Sequence, residues 1–257
     1  MFNFIKTPVF GYLLLASTLL AASPANSKPV KNIVLVHGAY ADGSSWSRVT
    51  PLLQAAGYNV TAVQQPLSSI QDDVTKTNAA LGQIDGPIVL VGHSFGGVVI
   101  TQAAYNNPKI SALVYVAAFA PDFNQSAIEL IMKYPIPPAA GSFVTDSQGR
   151  QTLLKDKFVQ YFCPDVKSIC GVLATAQGPS DQGRYIYQSG PPAWKQHPSY
   201  YVVAGNDQII NPQLEADTAV KIKAVKTIKV AGSSHAVLVS HPQVVADIIM
   251  EAANAKK

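Results

Sequence analysis

From Asn32 onward the chain alternates between two hydrophobic rhythms. One is a set of short, unbroken, β-branched runs: Asn32 to Val36, Val60 to Val63, Ile88 to Val91, Ile110 to Val116, Tyr200 to Ala204 and Thr227 to Val230. The other is apolar residues at helical spacing. Trp46, Val49, Leu52, Leu53 and Ala56 form one such series, stopped by Gly57, and Ile70, Val74, Thr77 and Leu81 form a second. Val98 to Tyr105 and Val244 to Ala253 give two more. The short runs read as strands and the periodic segments as helices. Strands without polar alternation are buried on both faces, and helices between them supply the cover, so the pattern predicts an α/β fold with a mostly parallel sheet. The rhythm breaks between Pro121 and Pro198, where prolines cluster at Pro135, Pro137 and Pro138 and again at Pro191 and Pro192, among interspersed aromatic residues. That stretch reads as a helical lid, about 121–198, inserted after the strand ending near Val116 in one domain spanning 28–257.

The first thirty residues follow a different logic. Lys6 is the only charge before Lys28, and Val9 to Ala22 is an apolar stretch followed by Ser23, Pro24 and the small-residue run Ala25-Asn26-Ser27. This is the layout of a secretory signal peptide, Met1 to Ser27, cut after Ser27. The apolar run is shorter than the roughly 18 residues a membrane span needs, so export to the periplasm or medium is expected rather than anchoring. Export also colours the reading of the two cysteines, Cys163 and Cys170. In an oxidising compartment such a pair forms a disulfide, provided the two Cα atoms come within about 7 Å. Their spacing matches no four-ligand zinc pattern.

Composition narrows the function classes. Of 257 residues, 48% are hydrophobic and only 13% charged, which supports a large core and argues against disorder. The net charge of +4 comes from scattered Lys and Arg residues, so no nucleic-acid partner is expected. Neither a phosphate-cradling G-x-x-x-x-G-K-[ST] nor a dinucleotide G-x-G-x-x-G is present.

The chemistry concentrates at three loops that follow strands. Gly92-His93-Ser94-Phe95-Gly96 has the G-x-S-x-G form of a nucleophile elbow, with a strand before it and a helix after it, as the motif requires. A serine hydroxyl needs a base. Of the five histidines, His93 lies within the elbow, His37 opens a glycine loop, His197 precedes Pro198 and His241 begins the last helix. His235, in Gly232-Ser233-Ser234-His235, sits in a small polar loop after a strand and late in the chain, and is the favoured base ahead of His241. The acid that fixes its tautomer is read as Asp207, in Ala204-Gly205-Asn206-Asp207 at the end of another strand, with Asp122 as the alternative. Asp217 is assigned to a solvated helical face. Two backbone N–H groups are needed for a developing oxyanion. One is Phe95, just after the nucleophile. The other is Ala39, with Tyr40 as second choice, in the loop His37-Gly38-Ala39-Tyr40.

Across nearly the whole mature chain these residues resemble the bacterial α/β-hydrolase-fold proteins related to plant methyl esterases and hydroxynitrile lyases. The stretches that carry the resemblance are Ile33 to Ala39, Gly92 to Gly97, Val203 to Asp207 and Ser233 to Val237. The resemblance implies a Ser94, Asp207, His235 triad, a helical lid and no cofactor; it does not fix the substrate, for which a small-molecule ester is the expectation. Hydroxynitrile lyases of the group carry Thr where this chain has Gly38 and use a lid lysine with no clear counterpart here, so hydrolysis is favoured over carbon–carbon cleavage. A non-catalytic binding protein of the same fold is the third reading, disfavoured by the complete triad.

Overall fold

A computed structural model describes residues 1–3 and 29–255; the expected signal peptide falls almost entirely outside them. Six parallel strands form the central sheet: β1 (Asn32–Val36), β2 (Asn59–Val63), β3 (Ile88–His93), β4 (Ile110–Val116), β8 (Ser199–Ala204) and β9 (Lys226–Val230). Their spatial order is β2-β1-β3-β4-β8-β9. The direction reverses at β1, since β3 crosses over to its far side, and every later strand adds outward from there. Loops at the carboxyl ends of β1, β3, β8 and β9 are thereby gathered along one edge, the usual place for a ligand in such sheets.

The unbroken apolar runs have the origin the pattern implies. Ile33 and Leu35 pack into one buried cluster while Val34 and Val36 pack into another, and Val89 and Val91 part in the same way from Ile88 and Leu90. Successive strand side chains point to opposite faces, so both faces are covered. The covering helices include α1 (Thr50–Ala55), α2 (Ile70–Gly82) and α3 (Gly96–Ala103). The periodic segment Trp46 to Ala56 is not one helix. It divides into a 3₁₀ turn at Gly43–Trp46 and α1, because Pro51 lies in the first turn of α1 and cannot continue a helix from the turn before.

Between β4 and β8 the insertion holds helices α4 (Ala127–Ile131), begun by a Ser126–Glu129 capping box, and α5 (Lys167–Thr175). It also holds a small antiparallel sheet that the sequence did not signal: β5 (Phe143–Thr145), β6 (Arg150–Leu153) and β7 (Ser180–Asp181). Strands of three, four and two residues are too short to show alternation. Cys163 and Cys170 are joined in a disulfide with their Cα atoms 5.7 Å apart. The insertion is pinned to the main domain by Arg184, which is buried, pairs with buried Asp73 of α2 at 2.6 Å and lies 4.3 Å above the Phe95 ring. After β8 come α6 (Pro212–Lys221) and, closing the chain, α7 (Pro242–Asn254).

Close packing of α3 against the segment after β4 depends on a missing side chain. A Cβ on Gly97 would lie 2.1 Å from the Phe119 carbonyl oxygen. Gly97→Ala should therefore cost about 3 kcal/mol through forced backbone displacement, a fall of roughly 10 °C in thermal midpoint. Gly82, with nothing within 4 Å of the added carbon, is the control: Gly82→Ala should leave the midpoint unchanged or raise it. Calorimetry on the two variants checks this, and equal effects would sink the packing argument.

Candidate active site

The turn from β3 into α3 carries Ser94 at φ 54°, in the left-handed region. Such backbone costs a non-glycine residue on the order of 1–3 kcal/mol, and the surroundings enforce it. Ser94 N–H donates to the Val116 carbonyl at 3.0 Å, while the Ser94 carbonyl accepts from Gly97 N–H at 3.0 Å and Phe119 N–H at 3.2 Å. Added carbons on Gly92 and Gly96 would stand 2.7 Å from Gly96 O and 2.6 Å from Val36 O. The small residues flanking the serine thus let three backbone segments meet around it.

Gly38, after β1, faces the serine directly. A Cβ there would lie 2.7 Å from Ser94 Cβ and 3.1 Å from Ser94 Oγ. Beyond it, Tyr40 has φ 59°, so the loop turns sharply at the nucleophile. Ala39 and Phe95 are both buried, and neither backbone N–H donates a hydrogen bond among the described residues. Buried N–H groups without partners are rare, and two of them beside a serine suit an anion that forms during reaction.

His235, on the loop after β9, contacts Asp207, on the loop after β8, through Nδ1 and Oδ2. Both residues are buried. The other Asp207 oxygen accepts from Ile209 N–H at 2.7 Å and Ile210 N–H at 2.9 Å, so the carboxylate is held at both ends. The second ring nitrogen of His235, Nε2, has no partner among the described residues. Ser94 and His235 line the same cavity, of about 630 Å³, together with Ala39, Tyr40, Phe119, Tyr185 and residues of the insertion. Among the described residues, no Asp, Glu, Lys or Arg lines it. A second groove of about 680 Å³, at the opposite ends of the strands near Pro87, Lys109 and Pro198, contains none of Ser94, Asp207 or His235.

The alternatives lie elsewhere. Asp122 is paired with Lys195 at 2.5 Å on the surface. His241 shares a 2.9 Å hydrogen bond with Ser240. Asp217 accepts from Tyr134 Oη at 2.8 Å on an exposed face of α6. The remaining histidines of the site support its backbone. Burial drives His93 well below its ordinary value, and its Nε2–H donates to the His235 carbonyl at 3.0 Å. Burial likewise lowers His37 to about 4. Its Nε2 accepts from Gln65 N–H at 2.9 Å and its Nδ1–H donates to Gly38 O at 2.9 Å.

The family model for the alpha/beta hydrolase family matches residues 33–248. The chain belongs to the alpha/beta hydrolase family. Polyneuridine aldehyde esterase of Rauvolfia serpentina is 35% identical over 127 residues, 44% of this chain and 48% of that protein. The chain spans about half the length of the first curated relatives it matches. A crystal structure of polyneuridine aldehyde esterase superposes with a TM-score of 0.75 at 20% identity, covering 86% of this chain and 98% of the other. An extracellular alpha/beta-hydrolase from a Paenibacillus species gives 0.70 at 20% identity, covering 88% of this chain and 100% of the other. At these identities the two structures speak for the fold.

Three residues at this alpha/beta hydrolase's site escaped the sequence reading: Arg184, Asp165 and Glu215. Arg184 is described above, and Asp165 bonds Ser234 from 69 residues away. Glu215 of α6 is buried, and one oxygen accepts from Ala204 N–H at 2.8 Å. Burial first, then the nearby Asp207 charge, raise Glu215 well above its ordinary value. The only signal available was eight-residue spacing after Asp207, which by itself implies nothing.

A group whose folded pKa is raised stabilises fully below its unfolded value, about 4.3, and loses that contribution as pH rises toward the folded one. Gln in its place keeps an acceptor for Ala204 N–H, with no proton to lose. Glu215→Gln should thus gain thermal midpoint over the parent progressively as pH rises above about 4.3, with the two closest below it. Parallel pH profiles would rule out a raised Glu215.

Proposed function

We propose that the chain is a serine carboxylic-ester hydrolase working through an acyl-enzyme on Ser94. The carrying observation is a serine on a left-handed elbow sharing a cavity with a histidine whose Nδ1 is held by Asp207 and whose Nε2 is unpartnered. In this reading His235 Nε2 takes the Ser94 proton as Oγ bonds to the ester carbonyl carbon. The Ala39 and Phe95 amides receive the oxyanion. His235 then protonates the departing alcohol, and a water, deprotonated by the same nitrogen, releases the acid and restores Ser94. Asp207 keeps the imidazole in the Nδ1–H tautomer throughout. Cyanohydrin cleavage needs a group to stabilise the departing cyanide, and the cavity lining offers no lysine for it.

The uncharged lining narrows the substrate to neutral small or medium-sized esters. A carboxylate in such a cavity would be stripped of water without a cationic partner, a penalty of several kcal/mol. The apolar N-terminal stretch and the disulfide support export, with Lys28 as the mature N-terminus and a periplasmic or extracellular site of action.

Ser94→Ala should lower kcat at least about 1,000-fold with an unchanged circular dichroism spectrum, and a fluorophosphonate should label Ser94 in the parent; substantial residual turnover would overturn the assignment. p-Nitrophenyl butyrate should exceed the hemisuccinate at least about 10-fold in kcat/KM, one decade for each 1.4 kcal/mol of that penalty. Equal use of both would show a charged subsite. Intact mass and N-terminal sequencing of material from a bacterial periplasm should start at Lys28; an intact Met1 terminus would contradict processing.

A further inference from the structure

The insertion reaches the histidine loop through one short segment. Phe162 is followed by Cys163, and the disulfide to Cys170 closes a loop containing Asp165. Both sulfurs belong to buried residues, and Val166 N–H donates back to Cys163 O at 3.1 Å, making a tight turn around Asp165. From that turn the Asp165 carboxylate spans to the other loop. Oδ2 accepts from Ser234 N–H at 2.9 Å and Oδ1 accepts from Ser234 Oγ at 2.5 Å. Ser234 Oγ in turn accepts from Ala236 N–H at 3.2 Å, and the same N–H donates to Phe162 O at 3.1 Å. The Phe162 ring stands edge-on to the His235 ring, centroids 4.7 Å apart. His235 is therefore bracketed on both sides in sequence by residues bonded to this segment.

We propose that Asp165, presented by the disulfide-closed loop Cys163 to Cys170, is a positioning residue that holds the Ser234–Ala236 backbone so that the His235 ring keeps its register with Asp207 and Ser94. The proposal rests on the catalytic reading of His235. The histidine loop needs such a hold: it is Gly232-Ser233-Ser234, with Gly232 at φ 75°, and its other ties run to Asn206, Val230 and His93 within the main domain. Hydrogen bonds to a carboxylate are about twice as strong as neutral ones, and a misplacement of about 1 Å in a reacting group can cost about 100-fold in rate. Asp207 and His93 stand against the His235 ring that the clamp holds.

Three variants and two readouts test this. Asp165→Ala should lower kcat for p-nitrophenyl acetate about 10-fold, with KM within about twofold. Asp165→Asn, whose amide can accept from Ser234 N–H and donate to Ser234 Oγ, should recover most of the loss. The second readout is the downfield proton resonance of the His235 Nδ1–H shared with Asp207, identified by its disappearance in Asp207→Asn. It should persist in the parent and in Asp165→Asn and broaden or vanish in Asp165→Ala. Parent-like kcat and resonance in folded Asp165→Ala would overturn the proposal, as would equal impairment of the Asn and Ala variants. Should Asp165→Ala not fold, Ser234→Ala removes the Oγ bond alone; a several-fold loss of kcat with a weakened resonance supports the clamp, and an unchanged protein refutes it. A parent that neither turns over esters nor labels with fluorophosphonate defeats the catalytic reading, and the resonance still decides whether Asp165 positions His235.

Discussion

Everything at this site depends on backbone segments approaching one another more closely than side chains allow. The chain reverses from β3 into α3 at Ser94, and the left-handed φ there is bearable only because the flanking positions are empty. Gly92 faces Gly96, Gly96 faces Val36, Gly97 faces Phe119, and Gly38 faces Ser94 itself, each at a distance where a methyl group would collide. Filling any one would push the serine away from the amides of Ala39 and Phe95. The strain is repaid by the rigid sheet beneath: Ser94 is tied by hydrogen bonds to Val116, Gly97 and Phe119, so the elbow has little freedom to relax.

The second constraint is electrostatic. A buried carboxylate needs partners, and Asp207 has them at both oxygens: two backbone amides at one and the His235 ring at the other. Buried Glu215 lies near it, and burial together with the Asp207 charge raises Glu215 well above its ordinary value. Burial also lowers the pKa of His93 and His37, which serve as hydrogen-bonding struts: His93 donates to the His235 carbonyl, and His37 to the Gly38 carbonyl.

Much of this was legible in the sequence, and the reasons are local. The central strands β1, β3, β4 and β8 were visible because burial on both faces demands unbroken apolar runs, while the largely exposed edge strands β2 and β9 show weaker runs. Ser94, Asp207 and His235 each lie on a loop that follows one of these strands. The motif residues around Ser94 announce themselves because the turn needs glycine at fixed offsets. What stayed hidden was non-local. Strands β5 to β7 are too short to carry a period. Asp165 sat in plain view between the two cysteines, but its role comes from a contact 69 residues away. Glu215 reads as one more acid on an amphipathic helix, and only the fold turns its face inward beneath Asp207.

The insertion that shapes the cavity is tied to the main domain at both halves of the chemistry. On the Ser94 side, Arg184 pairs with Asp73 and lies over the ring of Phe95, whose buried amide beside Ser94 is unpartnered among the described residues. On the histidine side, Asp165 and Phe162 grip the backbone around His235. A buried ion pair loses several kcal/mol when one partner is removed, so the Arg184 attachment resists change while the exposed parts of the insertion, such as Met132 and Ile136 at the cavity rim, are free to vary. Most of the cavity lining from the insertion, such as Ile128, Met132 and Ile136, can therefore change without touching Arg184 or Asp165; Phe162, which both lines the cavity and packs on His235, cannot.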